Sequence, residues 1–290
     1  MKSAVLTTLA VAALGVMAAP VIDDVTVLNF ALTLEHLENA FYSGALAKYD
    51  EKAFTDAGLP SFSRARFVEV GQHEQAHVDF LTKALGDKAT KPCTYSFPYT
   101  DPKSFAALSQ TLEGVGVTAY TGAAQYITSK KYLTVAASVL ATEARHASWV
   151  AGAVNKVNPW SGALDVPLSP NDVFSLAAPF IKSCPSSNPP LPFKAFPTLE
   201  FPTGSKPGQK VILKFDKGSS TGDLFVAFFT GLSQEFAPIT KDNSVTIPQD
   251  LVGTVYAVVS SNATVATDDN TVAGPAILTF NFDTKGMVIQ

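Results

Sequence analysis

Apolar residues first recur at helical spacing from about residue 24. Val25, Leu28, Leu32, Glu35 and Tyr42 fall near one face, which predicts a helix over 24–49. Asp56, Gly58 and Pro60 break that pattern. Ser61 or Ser63 can cap a second helix running to about Leu85, where Gly86-Asp87 ends it. The stretch 86–100, with Pro92, Cys93 and Pro98, is irregular. Asp101-Pro102 pairs an N-cap with a proline at the first helical position and predicts a third helix over 102–128. Ser129 allows a tight turn into a fourth over 130–156, which Asn158-Pro159 stops, and Ser169-Pro170 opens a shorter fifth reaching Lys182.

After Cys184 the pattern changes. Pro185, Pro189, Pro190, Pro192, Pro197 and Pro202 read as an extended linker over 185–203. Short runs of β-formers follow at 211–215, 224–230, 244–247, 254–260 and 276–282, separated by Gly, Pro, Asn and Asp. They predict a small antiparallel, sandwich-like β-rich domain over 204–290. The fold class is therefore α+β in two domains, with helices over 20–184.

The helical half carries two copies of Glu-x-x-His: Glu74-Gln-Ala-His77 and Glu143-Ala-Arg-His146. At i, i+3 a carboxylate and an imidazole share one helix face, so each motif can offer two ligands to one metal. With nine Glu and four His in 290 residues, chance supplies about a tenth of one such motif. Each motif also has a lone helical Glu upstream, Glu35 and Glu113. Counted from the two hairpin turns at 1.5 Å per residue, all four carboxylates lie about 20 Å from the hairpin ends. Each lone Glu thus faces a Glu-x-x-His across its hairpin. Tyr42 follows Glu35 by seven residues and Tyr120 follows Glu113 by seven, so the two hairpins repeat one design. The second and third helices must run parallel, and 86–100 can span up to about 50 Å to connect them. Four buried carboxylates without partners would be ruinous; two divalent cations neutralise them.

Composition narrows the setting. Met1-Lys2-Ser3, an apolar run from Ala4 to Met17 and Ala18-Ala19-Pro20 read as a signal peptide over 1–19, so a secreted chain is expected. No later run is long enough for a membrane span, and the C-terminus has no hydrophobic tail. Net charge is −4 with no basic stripe, which argues against nucleic acid. The two cysteines, Cys93 and Cys184, are expected to pair in a secreted chain; two buried free thiols are the alternative. Asn262-Ala-Thr264 is an acceptable glycosylation sequon in an expected turn.

Residues 24–157 resemble the ferritin-like superfamily, with the ligand set of the bacterioferritin and rubrerythrin type. Leu34-Glu-His-Leu-Glu-Asn-Ala-Phe-Tyr42, Cys93-Thr-Tyr-Ser-Phe-Pro98 and Ser104-Phe-Ala-Ala-Leu108 are similar to secreted fungal ferritin-like proteins of stress response, desiccation or late sexual development. The resemblance implies a ferritin-like up-down four-helix bundle with a long crossover and a short fifth helix. It implies Glu35, Glu74, His77, Glu113, Glu143 and His146 as ligands of two divalent ions, iron or manganese, with Glu74 and either Glu113 or Glu143 as bridges. Related oxygen-activating enzymes place an Asp before the motif Glu; His73 and Thr142 stand there instead. Tyr42 and Tyr120 are the candidates for hydrogen bonding to ligands or carrying electrons, and ordinary packing explains them equally well. Glu38 competes weakly with Glu35, His36 and His73 read as surface residues or partners behind the ligands, and Gly114 and Gly116 open space for dioxygen or peroxide or let helices pack closely. Two functions follow. One is an oxidoreductase that oxidises Fe(II) with dioxygen or peroxide, or dismutates peroxide. The other is a non-enzymatic secreted or wall-associated protein that keeps a metal for stability and binds polysaccharide or protein.

Overall fold

The computed structural model describes residues 22–289. The signal-peptide reading of 1–19 lies outside these residues. The helices are α1 (Asp24–Lys48), α2 (Glu51–Asp56), α3 (Ser63–Leu85), α4 (Pro102–Ala123), α5 (Lys130–Trp149) and α6 (Pro170–Ala177). Short polar side chains start most of them by accepting otherwise orphaned N–H groups. Asp23 accepts from Thr26, Asp50 from Ala53, Ser129 from Tyr132 and Ser169 from Asp172. Asp101 and Ser104 form a reciprocal capping box at α4.

Directions follow from hydrogen bonds at the ends. Arg64, opening α3, donates to the carbonyls of Leu46 and Tyr49 at the end of α1, and Thr90, just past α3, donates to Asn29 near its start. The pair is antiparallel. Asn155, beyond α5, donates to Ala106 at the start of α4, so that pair is antiparallel as well. Asp24 accepts from Thr128 and Ser129 just past α4, which sets α1 against α4 head to tail. α3 and α4 therefore run parallel, and 86–101 is the crossover.

One helix and three helix ends differ from the sequence reading. α2 was not expected; its signal is Asp50 followed by Glu51, an N-cap with an acid in the first turn. The third helix ends at Ala123 with a 3-10 turn to Tyr126, and the fourth ends at Trp149 before a π-helical turn over Val150–Asn155. α6 stops at Ala177 rather than Lys182 because Pro179 has no N–H to donate to Ser175. The chain instead extends as β2 (Ile181–Ser183), which pairs antiparallel with β1 (Thr94–Tyr95) in the crossover. That ladder brings Cys184 to Cys93, and the two form a disulfide.

The remaining strands are β3 (Leu199–Glu200), β4 (Lys210–Ile212), β5 (Lys214–Phe215), β6 (Phe225–Thr230), β7 (Ser233–Pro238), β8 (Ser244–Thr246), β9 (Gly253–Ser260) and β10 (Thr271–Phe280). Four form one antiparallel sheet in the order β10-β9-β6-β7, and β3-β5 and β4-β8 make two short ladders. One face of the main sheet, with Val226, Phe228, Val255 and Val259, packs on Leu199, Val211, Leu213, Val245 and Ile247 of the ladders. The other face, with Ala227, Phe229, Tyr256 and Val258, packs on Phe30, Val115 and Ala119 of the bundle. Burial on both faces explains why Phe225–Phe229 is a continuous apolar run instead of an alternating one. β7 was not expected, since Ser233-Gln-Glu235 reads as polar; it is one of the two edge strands of the sheet, where polar side chains are at home.

The proline-rich stretch 185–203 is tied along the bundle. Lys194 donates to Asn171, Phe196 donates to Ser175, and Phe193 is buried against Phe30. Gly122 permits the close pass of the segment before α6, since a methyl there would meet the Leu168 carbonyl oxygen at 1.9 Å.

Candidate metal centre

Each hairpin delivers one lone Glu and one Glu-x-x-His to the bundle interior. Glu35, Glu74, Glu113 and Glu143 are buried, with His77 and His146 beside them. Two overlapping groups result: Glu35, Glu74, His77 and Glu143, and Glu74, Glu113, Glu143 and His146. Within each, one potential ligand atom per residue lies within 4.8 Å of the others. All six sequence-picked side chains are thus brought together.

Glu74 and Glu143 belong to both groups, and each divides its two oxygens between the histidines. His77 Nδ1 lies 3.1 Å from Glu74 Oε2 and 3.1 Å from Glu143 Oε1. His146 Nδ1 lies 3.1 Å from Glu74 Oε1 and 3.6 Å from Glu143 Oε2. Glu35 closes the first group at 3.2 Å from His77, and Glu113 the second at 3.2 Å from His146. Glu74 and Glu143 are therefore the two carboxylates common to both groups. A single N–H on each Nδ1 cannot serve three carboxylates. Accordingly Glu74 Oε1 and both oxygens of Glu143 are buried without a directed hydrogen bond. Orphaned carboxylate oxygens facing two imidazole nitrogens fit a pair of divalent cations that take hard oxygen and imidazole ligands.

Where no cation is bound, protons would balance the buried carboxylates. Burial disfavours charge on both histidines, but the carboxylates around them outweigh it: His77, beside Glu143, Glu35 and Glu74, and His146, beside Glu113, Glu143 and Glu74, are each pushed up to about 12. Burial raises Glu35 to about 8 against the pull of His77, and raises Glu113 well above the usual range. Burial also works on Glu143, yet contact with His146 and His77 carries it down to about 2.

The two tyrosines exchange partners. Tyr42 of α1 donates to Glu113 of α4, and Tyr120 of α4 donates to Glu35 of α1. The two crossed bonds set the register of the antiparallel α1–α4 pair. Burial and then the facing carboxylate keep both hydroxyls protonated. Tyr42 also shares a 2.7 Å hydrogen bond with Ser109.

Behind the ligands the halves differ. His146 Nε2 lies 2.9 Å from His73 Nδ1, with the rings stacked at 5.2 Å. His73 is thus an exposed residue whose ring reaches the far nitrogen of a candidate ligand. Thr142, its counterpart, bonds its own helix at Ser138. Glu38 is a fifth buried carboxylate that sequence reasoning discounted. Burial and the surrounding carboxylates Glu143, Glu74, Glu113 and Glu35 raise it well above the usual range. The signal for it was Glu35-x-x-Glu38, the same i, i+3 spacing as the motifs themselves. His36 lies elsewhere, at 3.2 Å from the Thr90 carbonyl. Asn262 sits in the β9–β10 loop with its side-chain oxygen accepting from Thr264 and Val265.

Residues 23–156 match the family model of the ferritin-like domain. Protein rds1 of Schizosaccharomyces pombe is 27% identical over 176 residues, covering 61% of this chain and 44% of that protein. The chain thus spans less than half the length of that relative. The family match, the crossover bundle and the carboxylate–histidine cluster agree, and residues 23–156 are a ferritin-like domain followed by a small antiparallel-strand region.

Proposed function

We propose that this domain holds two divalent metal ions, iron or manganese, and uses them to handle oxidants or reactive iron. Glu35 and His77 would complete one site, Glu113 and His146 the other, with Glu74 and Glu143 common to both. The observation that carries the reading is the division of Glu74 and Glu143, each turning one oxygen to either histidine. Four carboxylates against two divalent ions also leave no net charge in the core. Bound there, the ions would supply the electrons and Lewis acidity for reducing dioxygen or peroxide, or for dismutating peroxide.

The chain's own residues would hold that chemistry in place. Tyr42 and Tyr120 fix Glu113 and Glu35 through their hydroxyl protons. With a cation on His146 Nδ1, the remaining ring proton sits on Nε2 and donates to His73, which fixes the tautomer. A place outside the cell fits the Cys93–Cys184 disulfide and the apolar leader, and no helix among the described residues is long and apolar enough to cross a membrane. A role in stress or development rests on the resemblance to secreted fungal proteins alone.

The test is to purify the protein without chelators, quantify metal, and assay peroxide loss and Fe(II) oxidation beside Glu74→Ala. About two ions per chain, with turnover lost in the variant, is the expected result. Two ions without turnover would leave a structural metal protein, and no bound metal would end the reading.

A further inference from the structure

Between α1, α4, α6 and β10 lies a cavity of about 170 Å³ with Glu38 and Gly116 in its wall. Its outer part is framed by Thr111, Leu176 and Ile277, and its inner part by Leu37, Leu112 and Gly116. Those walls are overwhelmingly apolar. Glu38 is the one ionisable group that lines it. Its side chain is 5% exposed and has no hydrogen bond or ion pair to another described residue.

The register of α1 on α4 explains where Glu38 sits. Glu35 faces Tyr120 and Tyr42 faces Glu113, so the level of Glu38 meets the level of Gly116. These two positions are also each other's counterparts, three residues beyond Glu35 and Glu113. A methyl group on Gly116 would lie 3.3 Å from Glu38 Oε1 and 3.7 Å from Glu143 Oε2. Gly116 therefore stands between Glu38, at the wall of the cavity, and Glu143 of the cluster, with room there for about one methyl group.

We propose that this cavity is the route by which hydrogen peroxide reaches the centre, and that Glu38 is the group that binds it at the inner end. The inference rests on the dinuclear reading above. A cation would not cross apolar walls, and neither would an anion, since either would shed its water there with no partner of opposite charge. Dioxygen would need no polar partner. A small neutral molecule with O–H donors matches both the walls and the unpartnered carboxylate. Ile277 at the mouth makes the β-rich region part of the route.

The test compares Glu38→Leu, Glu38→Gln and Leu176→Trp with the native protein, each loaded with metal and its metal content measured. Glu38→Leu should raise KM for peroxide about tenfold with kcat nearly unchanged, and Glu38→Gln should restore most of it. Fe(II) oxidation by dioxygen, which needs no polar partner in the cavity, is the comparison reaction and should change less than peroxide KM in both. Leu176→Trp should slow both reactions. Metal-free crystals under xenon pressure should show the gas in the native cavity and none in Leu176→Trp. Normal metal content with an unchanged peroxide KM in Glu38→Leu would overturn the proposal, as would a native cavity that takes up no xenon. Absence of metal from the native protein would overturn the dinuclear reading instead, so the two failures are distinguishable.

Discussion

The two hairpins, α1–α3 and α4–α5, are near-copies at the centre and unlike around it. Each contributes a lone Glu, a Glu-x-x-His and a tyrosine seven residues beyond the lone Glu. Behind His146 stands His73, whereas Thr142 turns back to its own helix and leaves His77 without that support. Glu38 on α1 faces Gly116 on α4, where even a methyl group would lie 3.3 Å from Glu38 Oε1. The tyrosines differ too, because Tyr42 has Ser109 as a further partner. A symmetric inner ring can bind two ions alike. An asymmetric surround would make two bound ions unequal, which would suit chemistry in which one ion meets substrate first.

The largest effect should separate shared from unshared ligands. Glu143→Ala removes oxygens from both groups, as Glu74→Ala does, and should leave the protein with almost no metal. Glu35→Ala or Glu113→Ala strips one group only and should retain about one ion per chain. Metal analysis after exhaustive dialysis reads the difference. Equal losses from Glu35→Ala and Glu143→Ala would show that the division of Glu74 and Glu143 between the histidines has no bearing on binding.

That distinction was out of reach of the sequence. Helical periodicity states height and face, and from these the six side chains could be named and the crossover required. It says nothing of which carboxylate points across the bundle, so Glu113 and Glu143 stood level as bridges. The tyrosines were placed on the face of their own helix's Glu, which is correct along the helix; that each bonds the other helix's Glu depends on the α1–α4 register. Glu38 competes only weakly with Glu35 on sequence, and its contact across the bundle with Gly116, distant in sequence, has no signal there. In the β-rich region, apolar runs marked the buried strands, while the polar edge strand β7 carried no such signal.

A second, smaller contrast sets the metal-free cluster against the loaded one. His77 and His146 hold protons up to about pH 12 in the folded chain, against an ordinary value near 6.5. Glu35 holds its proton to about 8, against 4.5. The unfolded chain loses these protons earlier, so stability of the metal-free protein falls as pH rises through 6.5 towards 8 and beyond. Glu143, lowered to about 2, loses its stabilising effect only in acid and leaves this window untouched. Cations replace the same protons, so metal affinity should rise with pH and loading should release acid. Thermal melts from about pH 6.5 to 8.5 should therefore drop for chelated protein and hold or rise for loaded protein. A chelated form that gains stability over that range would contradict the proton-held cluster.

His73 offers a finer probe of the asymmetry. His73→Ala leaves His146 Nε2 without its partner and the ring free to turn. One of the two ions should then bind about tenfold more weakly while the other is unaffected. Stepwise metal titration would resolve two classes of site in the variant. Thr142→Ala should change neither, since that hydroxyl serves its own helix.

The smallest expected difference lies between the tyrosines. Tyr42→Phe withdraws a donor from Glu113 and a partner from Ser109, both fully buried. Tyr120→Phe withdraws one from Glu35 only, at a position nearer the bundle surface. Leaving two buried polar groups unsatisfied should cost about 2–3 kcal/mol and leaving one about 1 kcal/mol. For a chain of this size each kcal/mol moves the melting temperature by about 2–4 °C, so scanning calorimetry on metal-free protein can tell them apart. Loading should shrink the gap, because a cation bound to Glu113 or Glu35 takes over the charge that the hydroxyl had balanced. Equal shifts before loading would mean that Ser109 contributes nothing, and that the asymmetry around the centre is confined to His73 and Glu38.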